Sequence, residues 1–110
     1  MVKYCGYVMR DEWLIQRAVD LGHPRPVTVG DRMDMLLMAS DDLRIATNVY
    51  PYTKLRRVKN SKGTKFWCIA FAANDPLLER MPTSAPPEEI YKGLKEVLQK
   101  TGPPGWYQAS

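Results

Sequence analysis

A chain of 110 residues, 45% apolar and 25% charged, has the size and composition of one folded domain with a core of its own. Those proportions exclude disorder as the resting state, and the longest apolar run, residues 66–73, is too short to span a bilayer. The net charge of +4 is mild, but six basic and no acidic residues fall between Lys54 and Lys65, which leaves the rest of the chain slightly acidic.

Residues 3–9, rich in aromatic and β-branched types, predict a strand with Gly6 as a bulge or a point of close backbone approach. Asp11 reads as an N-cap, and Trp13, Leu14, Ile15, Ala18, Val19 and Leu21 follow at helical spacing. Gly22 suits the position just past that helix, and Pro24 stops it. Thr28 and Asp31 form a T-x-x-D start signal for a helix over 29–40, with Val29, Met33, Leu36 and Leu37 on its inner face. From Leu43 to Val49 apolar and polar residues alternate, which predicts a strand.

A hairpin follows, with arms 53–59 and 64–72 around a four-residue loop at 60–63. That loop length places Arg56 opposite Trp67 and Tyr52 opposite Phe71. The second arm is apolar on both faces and reads as a central strand; the first, half basic, reads as an edge. Residues 74–81 suggest a single helical turn, and the prolines of 82–87 a crossing over the surface. Ile90, Leu94, Val97 and Leu98 stripe a last helix, expected to end at Gly102 and Pro103, with Trp106 and Tyr107 folding back on the core. The expected class is α+β, two-layered, with about four mainly antiparallel strands and helices packed on them, in a single domain over 1–110.

Cys5 and Cys68 each lie in a strand-like run and are expected as buried, reduced thiols. The first ten residues lack the apolar core of a secretory signal, so the expected compartment is the cytosol, with no membrane partner. No cofactor is implied. A zinc site is not expected, because His23 and two cysteines make only three nitrogen or sulfur ligands.

Three functions remain. The first is a non-catalytic protein-interaction module, with a second copy of the chain as one partner, docking through Met35 and Met38, which fall off the inner face of the 29–40 helix. The second is nucleic-acid binding by the basic hairpin: Lys54, Arg56, Arg57, Lys59, Lys62 and Lys65 for phosphates, Trp67 for stacking. Residues 62–69 do not fit the RNA-recognition consensus: only Lys62, Gly63 and Phe66 match, and no strand is expected after the last helix. The third is a small enzyme or ligand binder using His23, Asp31 and Asp34 as acid–base groups.

Overall fold

The aromatic and branched residues near the N-terminus build the first strand, β1 (Lys3–Met9). It leads into α1 (Asp11–Asp20), α2 (Val29–Ala46), a 3₁₀ turn at Tyr50–Tyr52 and a hairpin of β2 (Lys54–Lys59) and β3 (Lys65–Ala73). A single turn, α3 (Pro76–Glu79), then α4 (Glu88–Val97) and β4 (Gly105–Ala109) complete the chain. The computed structural model describes the backbone of all 110 residues and the side chains of all but Pro76 and Leu78.

The strands run β4-β1-β3-β2, each antiparallel to its neighbour. β1 and β2, joined through α1 and α2, are separated by β3; β3 and β4, joined through α3 and α4, are separated by β1. This is the split β-α-β connection used twice. The ends of the ladder then meet, because Val58 and Lys59 of β2 pair with Ala109 and Gln108 of β4 and close the sheet into a small barrel. Closing so few strands needs sharp curvature, and β1 bends at a bulge between Cys5 and Gly6. A Cβ on Gly6 would lie 2.1 Å from the Ile69 carbonyl oxygen, so only glycine allows β1 and β3 to approach there.

The pleat gives the strands two uses. Tyr7, Met9, Ile69 and Phe71 turn toward the helices and join Leu14, Ile15, Leu36, Leu43 and Leu94 in the main core. Tyr4, Val58, Cys68 and Ala70 pack on the other face, inside the barrel. Cys5 and Cys68 are free and buried, as expected, and desolvation pushes both thiols up, so they stay protonated.

Four local expectations are corrected. Residues 43–46 are the last turn of α2 rather than a strand. Leu43 joins the core, and the guanidinium of Arg44 is buried where Thr53 Oγ1 accepts from Nε at 2.9 Å and the Tyr50 carbonyl accepts from Nη2 at 3.4 Å. The helix ends at Ala46 with Thr47 at the cap and Asn48 at φ 60°, the Asn48 N–H donating to Ile45 O and that of Val49 to Arg44 O, a Schellman closure. α4 likewise closes at Gln99, φ 57°, well before Gly102. The C-terminal residues fold back as expected but do so as the fourth strand, so a strand does follow the last helix. Asp11 is the first helical residue of α1, with Arg10 at the cap.

The hairpin register also moves by one residue. Asn60 N–H donates to Thr64 O and Gly63 N–H to Asn60 O, with Gly63 at φ 81°, so the loop proper is Ser61-Lys62-Gly63. Arg57, not Arg56, therefore faces Trp67, and Arg56 faces Cys68. A slip of one residue exchanges the two faces of a strand, so Arg56 and Arg57 trade places.

Candidate functional site

The 18-residue α2 begins as its sequence predicts, with Thr28 Oγ1 accepting from the Asp31 N–H at 3.0 Å. Its inner face is Met35, Leu36, Ala39, Ser40 and Leu43, and the small Ala39 and Ser40 let the helix pack closely on its neighbours. Met35, expected outward, is only 8% exposed, while Met33, expected inward, is 46% exposed; Met38 is out, as expected. The added turn through Ala46 explains the rotation. Leu43 lies seven residues beyond Leu36 on the same face and pulls the apolar average toward it.

The rest of the surface of α2 is unusually apolar, in a line that winds about 160° round the helix from Val29 to Ile45 at roughly 100° per residue. Val29, Met33, Leu37 and Ile45 are 85%, 46%, 44% and 61% exposed, and they stand four or eight residues apart. Together with Asp41 they form one continuous i±4n ridge, the feature through which helices interlock. Asp41 is the one charge in the ridge, and Arg44 Nη1 lies 3.3 Å from its carboxylate.

The basic hairpin is a different kind of surface from the one its composition implies. Arg56 Nε sits 3.1 Å from the Glu79 carboxylate and its guanidinium 5.8 Å from the Tyr4 ring centre. The Tyr4 hydroxyl also donates to Glu79, and this bond, then Arg56, holds the Glu79 carboxyl below its usual range. Lys54 Nζ donates to the Glu79 carbonyl at 2.7 Å. Arg57 Nη1 bonds Asp11 at 2.9 Å and covers Trp67 at 4.8 Å. Trp67 is thus shielded by a cation, and its indole Nε1 is buried without an acceptor among the described residues.

Lys59, Lys62 and Lys65 remain. None of the three has a carboxylate within ion-pair distance among the described residues. Lys59 and Lys65 face each other across the hairpin; on its other side Lys59 faces Gln108 of β4, which in turn faces Lys3 of β1. Paired residues share a face, so Lys3, Gln108, Lys59 and Lys65 form one outward row across the barrel seam. Trp106, 46% exposed, stands two residues before Gln108 on that face. Lys3 and Trp106 were outside the expected site, because only the closure by β4 brings them beside the hairpin.

The acid–base candidates are dispersed. His23 is exposed; its N–H donates to Ala18 O at 3.1 Å while that of Gly22, φ 103°, donates to Val19 O, closing α1 as Gly22 predicted. The cleft beside His23, about 300 Å³, is lined by Met38 and Asp42 and by neither Asp31 nor Asp34. Asp31 and Asp34 are both exposed on α2. No three His, Cys, Asp or Glu side chains converge among the described residues. Larger grooves lie among the described residues: one of about 400 Å³ beside Tyr52, Lys54, Phe71 and Arg80, one of about 460 Å³ beside Arg10, Trp13, Phe66 and Lys100, and one of about 520 Å³ beside Asn48, Tyr52, Glu89 and Lys92. No described helix is long and apolar enough to cross a membrane.

Fold and surface together define an α+β domain: a closed four-stranded barrel with helices on one flank, an apolar ridge on its longest helix and a basic seam. No family model, curated protein or solved structure matches the chain.

Proposed function

We infer that this domain is a protein-interaction module that pairs with a second copy of itself through the outer ridge of α2. The observation that carries the reading is the ridge: four large apolar side chains exposed between Val29 and Ile45 of one helix. At 1.5 Å per residue the ridge is about 24 Å long. Large apolar side chains left in solvent along one helix mark contact sites, and methionine adapts readily to a partner. A second copy fits because the ridge is symmetric about Leu37, with Met33 and Asp41 four residues to either side and Val29 and Ile45 eight. An antiparallel copy crossing at Leu37 presents the central part of the same ridge, Met33 to Asp41, in return, as a twofold interface requires. Asp41 is already neutralised by Arg44, so the crossing buries no unpaired charge.

Sedimentation equilibrium over about 1–100 μM, the range in which transient pairs dissociate, tests this. The mass should rise from 12.6 kDa toward twice that value. Leu37→Asp should hold it at the monomer mass with unchanged circular dichroism. A wild-type chain that stays monomeric throughout the range contradicts the proposal.

A further inference from the structure

The seam of the barrel is a second surface, on different elements from the α2 ridge and independent of it. We propose that it binds single-stranded nucleic acid, with Lys3, Lys59 and Lys65 on backbone phosphates and Trp106 stacked on a base. Lys59 and Lys65 are directly opposed in the hairpin ladder, and like charges so placed repel. Among the described residues no carboxylate lies within ion-pair distance of either one or of Lys3. This differs from Arg56 and Arg57 on the same strand, both of which are bonded internally.

The spacing suits a polyanion. Neighbouring strands lie about 4.8 Å apart, so Lys3 and Lys59, on either side of Gln108, are about 10 Å apart, with Lys65 one strand further. Gln108 lies between them, its Nε2 donating to Met1 Sδ, and its amide oxygen is of a type that accepts. Trp106 gives the row a flat, exposed π-face, and an unstacked base can lie on it. A duplex keeps its bases stacked inside, which leaves an outward tryptophan nothing to read. That separates a single strand from a duplex, and the indole separates it from an acidic peptide that would need the lysines alone.

Fluorescence anisotropy with a labelled ten-nucleotide oligothymidylate tests this, with a duplex of equal length and phosphatidylserine vesicles as the other arms. Three neutralised phosphates on a single strand predict a log–log salt slope of about −2. Lys59→Gln with Lys65→Gln should reduce that slope by roughly 1.4 while the protein folds as well as before, since the change relieves a repulsion. Trp106→Ala should weaken binding about five- to hundredfold. Indole quenching on binding should vanish in Trp106→Phe, although Trp13 and Trp67 remain. Three outcomes overturn the proposal: no binding below about 100 μM at low salt, binding indifferent to both sets of substitutions, or tighter binding to the duplex or the vesicles than to the single strand.

Discussion

α2 and β2 treat their conspicuous residues in opposite ways. α2 leaves Val29, Met33, Leu37 and Ile45 in solvent, whereas β2 draws Arg56 and Arg57 into bonds with Glu79 and Asp11. An apolar stretch is therefore not all core here, and a basic stretch is not all binding surface. What separates the two cases is the neighbour. Among the described residues Val29, Met33, Leu37 and Ile45 belong to neither core cluster, while the arginines meet carboxylates delivered by α3 and α1. Function is better sought where a side chain lacks an internal partner than where its type looks suggestive.

The sharpest way to break this comparison is to truncate one leucine on each face of α2. Leu43 is fully buried and Leu37 is not. Leu43→Ala should cost about 3–4 kcal/mol of folding stability, the transfer loss plus a cavity. Leu37→Ala should change the stability of the monomer by about 0.5 kcal/mol or less. Urea unfolding at a concentration too low for pairing measures both. Equal losses would mean that the two faces are not what their exposure says.

On β2 the effects are smaller. Arg57→Ala removes the cover of Trp67 and a partly exposed ion pair with Asp11, and should lower stability by roughly 1 kcal/mol. The same substitution should leave the salt slope of oligonucleotide binding unchanged, in contrast to the two lysine changes. A flattened slope in Arg57→Ala would put the arginine among the phosphate contacts and erase the distinction between arm and seam.

A last effect is expected at high pH. Burial and the neighbouring Tyr91 push the Tyr7 hydroxyl up to about 12, and it donates to Gly102 O at 2.8 Å. A folded-state value above that of the unfolded chain gives stability that is complete below about pH 10. That stability falls as pH rises through about 12. Tyr7→Phe should show a shallower loss across that window in thermal melts. An identical loss in both proteins would assign the alkaline limit to other groups.

Much of the frame was legible in the sequence. Strand β1, helix α1 with its Gly22 end, the Thr28 cap and the buried thiols all follow from local chemistry, and the α+β class follows from their order. The losses trace to tertiary partners that no local window contains. Residues 43–49 alternate like a strand, yet Arg44 finds acceptors in the Tyr50–Thr53 turn and Leu43 finds the core, which holds the helix to Ala46. The register slipped because Gly63 in a left-handed conformation shortens the loop by one residue, and that slip exchanged Arg56 and Arg57. Lys54, Arg56, Arg57 and Trp67 leave the basic site for internal reasons, and Lys3 and Trp106 enter it only through the closure of β4 on β2. Met35 left the outer face once the helix was longer than its start signal implied.

The pairing of α2 across a twofold axis is the central claim, and one crosslinking measurement addresses it directly. Cys5 and Cys68 are buried and protonated, so a cysteine placed on the surface is the reactive thiol in the folded protein. Helices that interlock ridge into groove bring the residues at their crossing close enough for a disulfide. Under mild oxidation Leu37→Cys should form a dimer at twice the mass, while Ser61→Cys at the exposed hairpin tip should remain monomeric. Absence of the Leu37→Cys dimer, or equal crosslinking at both positions, would contradict the account.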